Sequence, residues 1–300
     1  MIALLAPGQG SQTPGMLAEW LELPGAADRL AAWSQISGLD LARLGTSATA
    51  EEITDTAVTQ PLVVATTLLA YNELARRGLP AQTVIAGHSV GEIAAYAIAG
   101  VISPDDAVRL AAVRGAEMAK ACAVEPTGMS AVLGGDEAEV LARLEALELV
   151  PANRNAAGQI VAAGSVSALE KLAEDPPAKA RVRQLATAGA FHTHYMASAL
   201  DGYAAAAEQV SATDPATTLL SNFDGQPVTS AADAMEKLVA QLTRPVRWDL
   251  CTETMRKLNT SAIVEFPPAG ALTGIAKREL RGVATHAVKT PADLDGVAGL

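Results

Sequence analysis

Gly87-His88-Ser89-Val90-Gly91-Glu92 sets a serine between two glycines in a Gly-x-Ser-x-Gly pattern, and that pattern suits a nucleophilic hydroxyl. Both glycines lack a Cβ where a strand would turn abruptly into a helix. The turn can then hold Ser89 in a strained conformation with its hydroxyl exposed. The N–H of Val90, at the start of the following helix, would point at a developing oxyanion. Such a serine needs a base, and the chain offers His88, His192, His194 and His286. His192 has the most suitable setting. It closes Gly189-Ala190-Phe191-His192, a small-residue turn between two regions of the chain, where a cleft wall is expected. His88 is expected to pack inward from its strand end, His194 to lie on the surface and His286 to sit in a terminal strand.

Two further features could carry chemistry. Pro7-Gly8-Gln9-Gly10-Ser11-Gln12 follows an apolar first strand. In a parallel sheet the loops at the strand C-terminal ends share one crevice, so this loop should face the serine turn. Gln9 is then a candidate second oxyanion donor beside Val90. Arg114 sits amid Leu110-Ala111-Ala112-Val113, where a buried guanidinium fork needs an anion. A substrate carboxylate or an internal salt bridge would each meet that need.

The elements that must position these residues can be read from the chain. Thr83–Ala86 reads as a short buried strand and Ile93–Ala99 as an Ala-rich helix. Ala57–Arg77 reads as a long helix with Pro61 in its first turn and Gly78 at its end. Ser103-Pro104 opens a helix over Asp105–Cys122. From about residue 127 the order becomes strand, helix, strand, strand, helix, strand: Met129–Gly134, Asp136–Leu147, Leu149–Ala152, Gln159–Ala163, Val166–Glu174 and Ala180–Ala186. That is the ferredoxin-like order, with Asn153–Gly158 as a polar turn. Helices are expected over Met196–Val210, Ala231–Leu242, Thr252–Leu258 and Ala271–Leu280, with strands at Ala262–Phe266 and Ala284–Val288. The fold class is α/β: a mainly parallel sheet domain over 1–126 and 188–300, with a small subdomain inserted at 127–187.

Composition narrows the function classes. Half of the 300 residues are apolar, enough for a substantial core. The formal charge of −11, from 22 Lys and Arg against 33 Asp and Glu, argues against a nucleic-acid partner. Two cysteines, Cys122 and Cys251, form no disulfide framework and suit a reducing cytoplasm. Met1–Ala6 is apolar but ends at Pro7-Gly8 without a basic flank, so it reads as a strand and not as a leader. No apolar run approaches a membrane span. Without a coiled coil or an evident dimer strand, a monomer is expected.

Gly8–Gln12, Gly87–Glu92, Arg114-Gly115, Gly189–His192 and Gln241-Leu242-Thr243-Arg244-Pro245-Val246-Arg247-Trp248 occur in one order. In that order they resemble the malonyl-CoA:acyl-carrier-protein transacylases, and the acyltransferase domains of polyketide synthases look similar. The resemblance covers nearly the whole chain. It implies an α/β-hydrolase-like domain with a ferredoxin-like insertion. It also implies Ser89 as nucleophile, His192 as general base, and the main-chain carbonyl of Gln241 as the partner of that histidine. The N–H groups of Gln9 and Val90 would form the oxyanion hole, and Arg114 would pair with the malonyl carboxylate. Asn155 would lie near the site mouth, and Phe191 resembles the malonyl-selective form. The implied partners are malonyl-CoA and acyl carrier protein, with no metal, nucleotide or flavin cofactor. One departure is Pro267-Pro268-Ala269, where many members carry Gly-Pro-Gly. Two rival readings are a hydrolase, with Asp224-Gly225 imitating the second motif of a patatin-like lipase, and a non-catalytic carrier-docking subunit.

Overall fold

The computed structural model describes residues 1–297 and 300. Five strands form a wholly parallel sheet: β1 (Ile2–Ala6), β2 (Thr83–Gly87), β7 (Thr218–Leu220), β8 (Ala262–Glu265) and β9 (Ala284–Ala287), in the order β7-β2-β1-β8-β9. Four more, β3 (Thr127–Gly134), β4 (Val150–Ala156), β5 (Gln159–Ser165) and β6 (Ala180–Gln184), form a separate antiparallel sheet in the order β4-β5-β3-β6.

The inner strands β1, β2 and β8 are covered on both faces, which explains why they read as nearly unbroken apolar runs, whereas the edge strand β9 is only partly buried. Along β1, Ile2, Leu4 and Ala6 enter the larger core with Trp20, Trp33 and Tyr96, while Ala3 and Leu5 enter a second core with Trp248 and Met255. The antiparallel sheet also divides its alternate residues between two cores. Val132, Ile160 and Ala162 pack under the helices Glu137–Ala146 and Val166–Glu174. Met129, Val161 and Ala163 turn the other way, into the larger core of the parallel-sheet domain.

Several expected boundaries move. Asn153–Gly158 is not a free turn, because β4 runs to Ala156 and carries Asn153 and Asn155. Register shifts at Pro151/Asn153 and Arg154/Ala156 break the alternation that would have marked the strand. The expected helix over Met196–Val210 is a 3-10 turn, His194–Ala199, followed by an α-helix, Leu200–Ala207. The helix ending at Lys257 begins at Trp248, four residues before Thr252. In the loop that departs from Gly-Pro-Gly, the Pro267–Pro268 peptide is cis. The buried Glu265 carboxylate accepts from the N–H groups of Gly270, Leu272 and Thr273 and fixes the start of the next helix.

Candidate active site

The serine turn follows β2 directly, and Ser89 sits at φ +54°, a backbone region that non-glycine residues avoid. Crowding selects the two glycines around it. A Cβ on Gly87 would collide with the Gly91 carbonyl, and one on Gly91 would meet the carbonyls of Ala6 and Pro7 at the end of β1. A residue 133 positions away holds the strained turn. Asn222, just after β7, accepts from the Ser89 N–H at 2.8 Å and donates to the Gly87 carbonyl at 2.6 Å.

The Ser89 hydroxyl lies 2.7 Å from His192 Nε2, and His192 Nδ1 lies 2.9 Å from the main-chain oxygen of Gln241. A carbonyl can only accept, so Nδ1 carries the ring proton and Nε2 is left to accept from the serine. His192 itself stands at φ +61°. Burial first, and then the Arg114 charge, hold its imidazole far below the ordinary value, at about 3. It is a neutral acceptor at pH 7.

Arg114 is buried on the helix Pro104–Cys122, with Nη1 donating to Gln60 Oε1 and Nη2 to Gln241 Oε1, each at 2.8 Å. Its Nε has no hydrogen-bond partner, and among the described residues no carboxylate lies within ion-pair distance of it. Of the two anions open to it, the internal salt bridge is therefore not formed. The Gln241 amide also donates, from Nε2, to the Ser89 carbonyl at 3.1 Å and to the carboxylate of the fully buried Glu92. Burial pushes Glu92 up to about 7, opposed by hydrogen bonds from Asn222, Ser221 and Gln241 and by the Arg114 charge.

Ser89, His192, Arg114 and Gln60 border one cavity of about 190 Å³, lined also by Gln9, His88, Met129, Asn155, Val161 and Phe191, with Gln241 and Glu92 behind its wall. The structure thus brings Ser89, His192, Gln241, Gln9, Arg114, Asn155 and Phe191 together. Val90 follows the serine at the helix start, and neither its N–H nor that of Gln9 finds an acceptor among the described residues. The Gln9 side chain donates to Thr56 at 3.3 Å. Asn155 reaches the site through His88, whose Nε2 donates to Asn155 Oδ1 at 2.9 Å while the ring packs edge-on against Trp248. His194 is exposed, as expected for a surface neighbour. Asp224 pairs with Lys237 at 3.1 Å, and among the described residues it makes no hydrogen bond to Ser89. Sequence reasoning missed Gln60, Glu92 and Asn222 as site residues. Glu92 lay inside the quoted serine motif, whereas nothing local marks the other two.

Among the described residues, no group of three or more His, Cys, Asp or Glu side chains is placed to hold a metal ion. No helix there is long and apolar enough to cross a membrane. Residues 4–293 match the acyl transferase domain family. The chain is similar to the malonyl CoA-acyl carrier protein transacylase of Mycolicibacterium smegmatis, 80% identical over 94% of this chain and 99% of that one. The protein of the same name in Salmonella typhimurium is 33% identical, with 97% of each chain covered. The crystal structure of MCAT from Mycobacterium tuberculosis superimposes with a TM-score of 0.98 at 74% identity, over 99% of both chains. A malonyl-transacylase solved in complex with its type II PKS acyl-carrier protein superimposes with a TM-score of 0.93 at 30% identity, over 99% of this chain and 98% of that one. Strained serine, carbonyl-oriented histidine and near-complete sequence coverage lead to one placement: the chain belongs to the acyl transferase domain family.

Proposed function

We propose that this enzyme moves a malonyl group from malonyl-CoA to the phosphopantetheine thiol of acyl carrier protein, through a malonyl ester on Ser89. The observation that carries this reading is a buried guanidinium held, among the described residues, only by neutral amides, in the same small cavity as a serine hydrogen-bonded to a neutral histidine. A charged group so placed is completed by a substrate carboxylate. The relatives' names supply the donor and the acceptor.

In the first half-reaction Ser89 Oγ attacks the thioester carbonyl while its proton passes to His192 Nε2. The Gln241 carbonyl steadies the resulting imidazolium through Nδ1–H. The N–H groups of Gln9 and Val90 receive the oxyanion. Collapse breaks the C–S bond, and the CoA sulfur leaves with the proton held by His192. In the second half the carrier's thiol gives its proton to His192 and its sulfur attacks the ester carbonyl; collapse breaks the C–Oγ bond, and His192 returns the proton to Ser89 Oγ. A malonyl carboxylate on Arg114 also offsets the positive field that depresses His192, so the correct substrate strengthens its own base. Phe191 walls the cavity, and its ring stands against an extra methyl on the α-carbon. Asn155 steadies the mouth through His88. The parallel-sheet domain comprises 1–126 and 188–300, and the ferredoxin-like subdomain 127–187. Both cysteines are free thiols, which supports a cytoplasmic setting for fatty-acid or polyketide synthesis.

Intact-protein mass after brief exposure to malonyl-CoA or acetyl-CoA, followed by holo carrier protein, tests the reading. The wild type is expected to gain a malonyl adduct that the carrier discharges, and Ser89→Ala to gain none. Arg114→Ala is expected to lose most of its preference for malonyl over acetyl, because acetyl offers the guanidinium no carboxylate. An adduct lost only to water would indicate a hydrolase. Equal losses for both donors in Arg114→Ala would remove the proposed role of that residue.

A further inference from the structure

We propose that Glu92 is the positioning residue that ties together the serine turn, the carbonyl that orients His192, and the guanidinium of Arg114. Glu92 lies in the first turn of the helix Gly91–Ile98 and is fully buried. An exposed acid would serve the helix dipole equally well. A buried carboxylate is costly unless its oxygens are fully used, and those of Glu92 are turned to two residues that act directly on the site.

One arm reaches Gln241. A side-chain amide has a donor end and an acceptor end. Glu92 Oε2 takes the donor end, which also reaches the Ser89 carbonyl at 3.1 Å. The acceptor end is thereby left facing Arg114 Nη2, at 2.8 Å. The opposite flip would press an NH2 group against the guanidinium and an amide oxygen against the carboxylate. In its ionised form, which the Asn222 and Gln241 donors and the Arg114 charge favour, Glu92 therefore selects the amide orientation that holds Arg114. The main-chain oxygen of this same Gln241 receives His192 Nδ1–H at 2.9 Å.

The other arm reaches Asn222. Glu92 Oε1 accepts from the Asn222 main-chain N–H at 2.6 Å. The Asn222 side chain in turn grips the Ser89 N–H and the Gly87 carbonyl, on either side of the strained turn. One carboxylate thus fixes the nucleophile through Asn222, and the base and the anion site through Gln241.

The inference rests on the malonyl-transfer reading above, and Glu92→Gln tests it. The substitution keeps the shape but leaves one acceptor oxygen for two N–H donors, so the Gln241 amide loses its fixed orientation. Steady-state transfer to holo carrier protein should show a rise in KM for malonyl-CoA. The malonyl-to-acetyl ratio of kcat/KM should fall about tenfold, toward that of Arg114→Ala. A merely structural role would reduce the amount of folded enzyme, and so lower kcat for both donors while leaving KM and the ratio alone. Glu92→Asp, which keeps the charge one methylene back, should recover part of the ratio. Should Glu92→Gln fail to fold, Glu92→Asp is read against the wild type and must itself show a lowered ratio. An unchanged ratio in the variant that folds overturns the proposal. A wild type that forms no malonyl adduct overturns the functional reading instead, so the two failures remain distinct.

Discussion

At the scale of single residues, two buried titratable groups are displaced in opposite senses. His192 is neutral because burial and Arg114 penalise the imidazolium, whereas Glu92 is drawn toward its protonated form by burial. Folding therefore releases protons at one and retains them at the other. With His192 lowered from 6.5 to about 3, its contribution to stability is complete above pH 6.5 and is lost as pH falls toward 3. With Glu92 raised from 4.5 to about 7, its contribution is complete below pH 4.5 and is lost as pH rises toward 7. Urea unfolding of His192→Gln and Glu92→Gln at pH 5, 6 and 7, each subtracted from the wild type, separates the two. Relative to the wild type, Glu92→Gln should gain stability as pH rises. His192→Gln should gain as pH falls. Each slope should be at most about 1 kcal/mol per pH unit. A flat difference curve for His192→Gln would contradict the neutral imidazole on which the mechanism depends.

At the scale of elements, the serine turn is the clearest case of sequence dictating structure. Gly91 lies where the helix start presses on the end of β1, and a methyl there would collide with the Ala6 and Pro7 carbonyls. Backbone on both sides leaves it nowhere to relax. Gly91→Ala should cost about 3 kcal/mol, read as a drop in the urea midpoint. Gly274→Ala, in the interior of the helix Ala271–Glu279 with open space around it, should instead add roughly 0.5–1 kcal/mol. Equal midpoints for the two would mean that the turn tolerates a Cβ. This strand–turn–helix was legible because its constraints are local: apolar run, glycines, serine and Ala-rich helix adjoin in the chain. The same holds for the βαββαβ order of the antiparallel sheet. β7 was not legible, since three residues give no periodicity and Thr218–Leu220 becomes a strand only by pairing with β2. Asn222 was hidden for the same reason. Its role exists only once β7 is laid beside the serine turn, 133 residues away in the chain.

At the scale of the whole molecule, the cavity has walls from both sheets, so it depends on how the sheets are fastened. Met129 and Val161 come from the antiparallel sheet, while Ser89 and Arg114 come from the parallel-sheet domain. One fastening is main-chain pairing. The segment after Gln241–Thr243 runs beside β4 like an added strand, with Arg154 N–H donating to Val246 O at 2.9 Å and Val246 N–H donating to Ala152 O at 2.8 Å. The next residue, Arg247, donates its N–H to the Asn222 carbonyl at 2.8 Å. A single stretch of about seven residues therefore supplies the His192 acceptor, joins the sheets and braces the residue that holds Ser89. The sequence marked this stretch through Gln241–Trp248, but its joining role arises only from contacts between distant segments. Amide exchange should reveal it. The N–H groups of Arg154 and Val246 should exchange as slowly as those of β2, although Val246 belongs to no regular strand. Val246→Pro removes one of the two bonds and should speed exchange along β4 while leaving β2 protected. It should also lower malonyl transfer by roughly tenfold, through displacement of the Met129 and Val161 wall. Fast exchange at both amides in the wild type would place the fastening elsewhere, in the packing of Met129, Val161 and Ala163 against the larger core.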